Sequence, residues 1–182
     1  MNRMDLLKRL EDLERRNVFV LSKRDIEKLF PDEDEKAMEK SLQRMVKDGI
    51  LDKAARGIYV NSSAASRNAG RLIEEVAKAL RPGKICYISL ESMLSEYGVI
   101  SQIPMSRLTV MTTGSSGLHE TPYGVIEFTH TKRSVPDVLN RTIFVKGRPL
   151  RIAKKQAAAQ DLLRIGRNTD MIDYEELEEE EA

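Results

Sequence analysis

Residues 35–60, EKAMEKSLQRMVKDGILDKAARGIYV, decide how the N-terminal part of the chain folds. Met38, Leu42 and Met45 fall at i, i+4 and i+7, with Val46 beside them, so one stripe of a helix is apolar. Lys36, Lys40, Gln43, Arg44 and Lys47 fall on the other faces. Gly49 follows the last periodic residue, where a left-handed conformation ends a helix. Ile50-Leu51 and Gly57–Val60 are short strand signals, joined by the polar, basic stretch 52–56. A helix followed at once by a basic hairpin predicts the second half of a winged helix-turn-helix.

Upstream of that stretch, Leu6, Leu7, Leu10 and Leu13 predict a helix over 3–16, and Val18-Phe19-Val20 a short strand. Ser22, with Asp25 three residues on, has the form of a capping box opening a second helix. Ile26, Leu29 and Phe30 give that helix its buried face, and Pro31 ends it. Asp32 is the expected cap of the third helix, with Glu33, Asp34 and Glu35 in its first turn. The order helix, short strand, helix, turn, helix, hairpin is that of a winged helix-turn-helix, in which the later helix enters the major groove.

An acidic helix start repels phosphates. DNA contact is therefore expected from Lys40, Gln43, Arg44 and Lys47. Ser22, Lys23 and Arg24 at the second helix, and Lys53 and Arg56 on the wing, are the expected phosphate contacts. The competing reading is a winged helix that pairs with protein and carries a solvated charged face.

The chain has 182 residues, 41% hydrophobic and 32% charged, enough for one domain or two small ones. No apolar run has membrane-spanning length, and MNRMDLLKRLEDLERR is too charged for a signal peptide. The single cysteine, Cys86, excludes an internal disulfide framework. A cytoplasmic location follows as the expectation. The net charge of +1 hides a polarity: residues 62–167 carry 16 Lys+Arg against 8 Asp+Glu, whereas 168–182 carry eight acidic residues and no basic one. A basic body with an acidic tail suits a polyanion-binding protein.

Residues 61–70, NSSAASRNAG, read as a linker. Three parts follow: a winged helix-turn-helix over 1–61, an α+β domain with a smaller sheet over 62–167, and an acidic tail over 168–182, frayed or disordered in its run 174–181. Within the second domain, helices are expected at 71–80, 90–97 (capped by Ser89) and 154–164. Strands are expected at 85–88, 108–111, 125–129 and 142–145. Arg133, Arg141, Lys146, Arg148, Arg151, Lys154 and Lys155 cluster in sequence, and form either a second nucleic-acid patch or a dispersed basic surface.

Two passages carry a family resemblance. LQRMVKDGILDKAARGIYV is one; YISLESMLSEYGVISQIPMSRLTVMTTG with YGVIEFTHTK is the other. Together with the domain order they make most of residues 20–165 similar to the AbiEi family, the antitoxins of bacterial type IV (AbiE-type) toxin–antitoxin systems. The resemblance implies an N-terminal winged helix that represses its own operon by binding double-stranded operator DNA. It also implies a C-terminal domain that opposes a nucleotidyltransferase-type toxin without a stable toxin complex. The acidic start of the third helix departs from the serine- and threonine-rich start expected of such a reader. The family offers no catalytic residues to carry over.

Enzymatic alternatives are thin. His119 and His130 lack metal-ligand spacing, and Gly114–Gly117 lacks the Lys-Ser/Thr ending of a P-loop. Glu127 with Lys132 faintly suggests a nuclease pair, for which Glu91 or Asp137 would have to supply a second metal carboxylate. The expectation is a non-enzymatic DNA-binding repressor, paired on repeated half-sites, needing no cofactor or metal.

Overall fold

The computed structural model describes residues 1–101 and 106–179. Residues 102–105, inside the YISLESMLSEYGVISQIPMSRLTVMTTG passage, and 180–182 lie outside the described residues. The chain divides into two compact units, Met1–Leu80 and Arg81–Ala182. No described helix is long and apolar enough to cross a membrane.

Unit 1 runs α1 (Arg3–Glu14), β1 (Val20–Ser22), α2 (Lys23–Leu29), α3 (Glu35–Lys47), β2 (Leu51–Ala55), β3 (Ile58–Asn61), α4 (Ser62–Ala65), a 3₁₀ turn (Ser66–Asn68) and α5 (Ala69–Leu80). Its sheet has the order β1-β3-β2, antiparallel throughout. Leu6 and Leu10 of α1, Leu21, Ile26 of α2, and Met38, Leu42 and Met45 of α3 form one buried cluster. The heptad-like spacing read in the sequence thus becomes a helix face packed against three other elements.

Two local signals set the joints of this unit. Ser22 Oγ accepts from Asp25 N, and the Asp25 carboxylate accepts from Ser22 N at 2.9 Å, which closes the capping box of α2. Ser22→Ala is expected to lower stability by about 1 kcal/mol, read from the urea midpoint. Gly49 (φ +69°) ends α3, and Gly57 (φ +74°) turns β2 into β3. Both sit in the left-handed region that L-residues avoid.

Four expectations change here. The cap of α3 is Asp34, not Asp32: the Asp34 carboxylate accepts from Ala37 N at 3.0 Å. Residues 61–70 are not a linker, since Asn61 caps α4 and a 3₁₀ turn leads into α5. Helix α5 packs on β1 and β3, burying Leu72, Val76 and Ala77. The boundary between units therefore falls after Leu80, not after residue 61. Finally, the strand near Phe19 starts at Val20.

Unit 2 runs β4 (Cys86–Ile88), α6 (Leu90–Glu96), β5 (Arg107–Thr112), β6 (Gly117–Thr121), β7 (Gly124–His130), α7 (Val135–Arg141), β8 (Thr142–Ile143), β9 (Arg151–Ala153), α8 (Lys155–Ile165), a 3₁₀ turn (Thr169–Met171) and α9 (Tyr174–Glu178). One mixed sheet has the order β6-β7-β5-β4-β9-β8. The pairs β4–β9 and β5–β7 are parallel. The α+β class is as expected, but this sheet is six-stranded and larger than that of unit 1. Strands β6 and β9 carry no strand signal in the sequence, because GLHET and RIA lack a run of branched or aromatic residues. The acidic stretch is partly folded: Asp173 caps α9, and Leu177 is buried against the rest of the unit.

Candidate nucleic-acid interface

Helix α3 carries the arrangement with the clearest chemical direction. Its buried residues are Met38, Ser41, Leu42 and Met45. Lys36, Lys40, Gln43 and Lys47 are all exposed. At about 100° per residue these four lie within an arc of roughly 60°, diametrically opposite the buried set. Three ammonium groups and one amide therefore project from the outer face of one helix. Lys36 stands outside the DNA-contact set expected from sequence, although its i+4 relation to Lys40 was the available signal.

The acidic start of α3 is engaged within unit 1. The Glu33 carboxylate accepts from Ser41 Oγ at 2.7 Å and pairs with the Met1 amino group. That pairing holds the Glu33 carboxyl below the ordinary carboxylate range. Asp34 is the cap. Glu35 and Glu39 each lie 3.4 Å from Lys23 Nζ, and Glu27 lies 3.7 Å away. Lys23 Nζ thus lies among three carboxylates of unit 1. Arg44 donates to Met1 O at 3.1 Å, so its guanidinium is partly committed within the unit. Arg24, Lys53 and Arg56 are exposed, the latter two on the β2–β3 hairpin. Ser22 is half-buried and serves the α2 cap.

Most of the basic residues of the second sequence cluster have partners within unit 2. Arg133 and Arg141 both donate to Asp161 Oδ1, at 3.1 and 3.0 Å. The Asp161 side chain is 0% exposed, those of the arginines 21% and 19%. Its other oxygen accepts from Ser89 Oγ at 2.9 Å and Tyr87 Oη at 3.1 Å. Burial, then the negative Asp161, pushes the Tyr87 phenol up to about 12. Ser89 Oγ therefore bonds to α8 and makes no side-chain cap bond to α6. Arg151 donates to Thr142 Oγ1 and O, and Arg148 pairs with Glu96 at 2.6 Å. Lys155 donates to Glu179 O at 2.7 Å. Lys146 and Lys154 are exposed. Most of the sequence cluster fastens the sheet, α7 and α8 to one another.

The carboxylates weighed for a nuclease meet, but across an arginine. Arg167 donates to both oxygens of Glu91, at 2.8 and 3.0 Å, and pairs with Glu127. Arg107 adds a bond to Glu127 at 2.9 Å, and Asn168 one to Glu91 at 3.0 Å. Burial disfavours the Glu91 charge, but the bonds from Arg167 and Asn168 outweigh it and hold the carboxyl below its usual range. Asp137 is elsewhere, bonded to the α7 cap Ser134. Lys132 is exposed. Among the described residues no group of three or more His, Cys, Asp or Glu is placed to hold a metal ion.

His119 packs edge-on to Phe128 at 5.6 Å, with Nε2 3.3 Å from the Arg81 guanidinium. Burial, then the Arg81 charge, lowers its pKa below the ordinary histidine value. The unfolded chain thus takes up a proton near pH 6.5 that the folded chain refuses, so stability falls as pH drops through that region. In urea titrations at pH 7.5 and about 5.5, His119→Gln is expected to show a smaller loss than the unsubstituted protein. An equal loss in both would place the titrating group elsewhere.

No family model, no curated protein and no solved structure matches this chain.

Proposed function

We propose that unit 1 is a winged helix-turn-helix that binds duplex DNA, and that the protein is a repressor of its own operon. The observation that carries this reading is the exposed Lys36–Lys40–Gln43–Lys47 stripe, opposed on α3 to the buried Met38–Leu42–Met45 face. In this reading α3 lies in the major groove, and the β2–β3 hairpin sets Lys53 and Arg56 against the backbone. The lysines supply phosphate and guanine contacts, and Gln43 an adenine-type amide contact. Glu33, Asp34, Glu35 and Glu39 have partners inside unit 1, which reduces the repulsion that an acidic helix start would otherwise present. The protein acts by binding and without catalysis.

The resemblance to AbiEi antitoxins read from the sequence suggests the further step, that unit 2 opposes the effect of a nucleotidyltransferase-type toxin encoded beside it. The first test is binding of the purified chain to a labelled duplex from its own promoter, with a scrambled duplex as control, across several salt concentrations. Preference for the promoter that weakens with salt, at about −0.9 in log–log slope per phosphate neutralised, is the expected result. Equal and feeble binding to both duplexes overturns the repressor reading and redirects attention to protein pairing by unit 1.

A further inference from the structure

An arginine and two histidines that the DNA reading does not use converge on one turn of unit 2. The turn is the β5–β6 connection, residues 113–116, in which Ser115 and Ser116 are exposed. Arg81, the first residue of unit 2, holds it from one side. Its Nε donates to Ser115 O at 3.0 Å, and its guanidinium lies 4.0 Å from the centre of the Phe128 ring. Nη2 of the same group lies 3.3 Å from His119 Nε2, and His119 stands edge-on to that ring. From the other side, His130 Nδ1 lies 2.7 Å from Gly114 O, and His130 N donates to Ser116 Oγ at 2.8 Å.

A proton affects the two imidazole bonds differently. A carbonyl oxygen can only accept, so His130 Nδ1 carries a hydrogen, and the charged ring carries one there as well. A guanidinium can only donate, so His119 Nε2 accepts through a lone pair that exists only in the neutral ring. Protonated His119 therefore offers Arg81 no acceptor and sets a second cation beside it. The surrounding ionisable groups do not offset that charge. Lys84 is a further cation on the turn: a side-chain carbon on Gly114 would meet Lys84 Cγ and Arg81 Cδ, each at 3.1 Å. Cys86 on β4 is a thiol whose pKa burial pushes up, so it stays neutral. Glu120 and Glu127 belong to the opposite face, since Leu118 pairs with Glu127 and His119 with Ile126.

We propose that this clasp is an acid-sensitive switch, in which protonation of His119 drives Arg81 off Ser115 O and the Phe128 ring. The turn then loosens on its Arg81 side, while His130 keeps its bond to Gly114 O. Of residues 81–84, Arg81 is half-buried and the other three are exposed. The same event thus loosens the point at which the chain enters unit 2. Burial, then the Arg81 charge, holds His119 below the ordinary histidine pKa. The clasp is accordingly closed at neutral pH and opens on the acid side of about 6.5.

The test is amide hydrogen exchange of the full chain at pH 7.5 and about 5, each rate expressed as protection relative to the intrinsic rate at that pH. Thr113 N, bonded to Ile85 O, and His130 N, bonded to Ser116 Oγ, report on the turn. Ala158 N, bonded to Lys154 O in α8, reports on unit 2 elsewhere. Protection at Thr113 and His130 should fall about tenfold at the lower pH, the size of a lost hydrogen bond to a charged group, with Ala158 unchanged. His119→Gln keeps an acceptor for Arg81 at every pH and should abolish the fall. Arg81→Met should give the low protection at both pH values. Turn protection that is the same at both pH values overturns the proposal, as does an equal fall at Ala158. So does a fall that persists in His119→Gln, or an Arg81→Met turn as protected at pH 7.5 as the parent. None of these readouts involves DNA, so the proposal stands or falls separately from the repressor reading.

Discussion

Replacing Lys40 and Lys47 together with alanine is expected to weaken promoter binding by roughly 10- to 100-fold near 0.1 M salt and to reduce the salt slope by about 1.8. The two residues lie seven apart on α3, hence on one side of the helix, and both are exposed. Removing two phosphate contacts removes two released counter-ions, which is why the slope and the affinity should fall together. Stability should change by no more than about 0.5 kcal/mol, because neither side chain packs against the core. Gln43→Ala should behave differently, altering preference at one base pair with the salt slope unchanged. Affinity and slope both unchanged in the double variant would show that this face of α3 does not meet DNA.

The largest effect on stability is expected at Asp161. Its carboxylate is fully buried beneath two guanidinium groups and two hydroxyls. Asp161→Ala leaves two positive charges in a poorly hydrated place without their anion, a defect that costs about 3–5 kcal/mol. A domain of this size has only about 5–15 kcal/mol in total, so the variant should unfold at a much lower urea concentration or fail to fold. Asp161→Asn keeps the shape and an acceptor oxygen but not the charge, and should fall between. Tyr87→Phe, which removes one hydroxyl and leaves the ion pairs, should cost about 1 kcal/mol. Asp161→Ala with an unaltered urea midpoint would show that water, and not the carboxylate, satisfies Arg133 and Arg141. The Nε atoms of both arginines are already buried without a partner, which makes the remaining bonds to Asp161 the more consequential.

What the sequence disclosed was whatever depends on neighbours in the chain. The α3 stripe, the Ser22–Asp25 box and the glycine turns at Gly49 and Gly57 are local, and each is legible as residue type at fixed spacing. The position of α5 is not local. Leu72, Val76 and Ala77 announce an apolar face, but only β1 and β3, formed far upstream, determine that this face belongs to unit 1. The small polar residues before it resemble a linker by composition, although Asn61 turns them into a capped helix. The partners of the basic cluster are hidden for a related reason. Charge in sequence says nothing of the partner, and for Arg133 and Arg141 the partner is an aspartate from a later helix. A signal was present all the same: Asp161 falls three and four residues after Ala158 and Ala157, on the buried side of α8, where an unpaired carboxylate could not stay.

The parallel pairing of β4 with β9 also bears on how the protein comes to be folded during synthesis. Unit 1 closes its sheet at Asn61 and receives its last helix by Leu80. Unit 2 begins almost at once with β4, but the strand that lies alongside it, β9, starts only at Arg151. Until then β4 has β5 on one side and an open edge on the other, and Tyr87 and Ser89 await an aspartate still to be translated. Contacts of such long sequence separation form slowly, and an unpaired apolar edge is where nascent chains associate wrongly. A growing chain would therefore carry an N-terminal unit ahead of an incomplete sheet, and the long interval before β9 is the period in which the open edge of β4 is most exposed to wrong association.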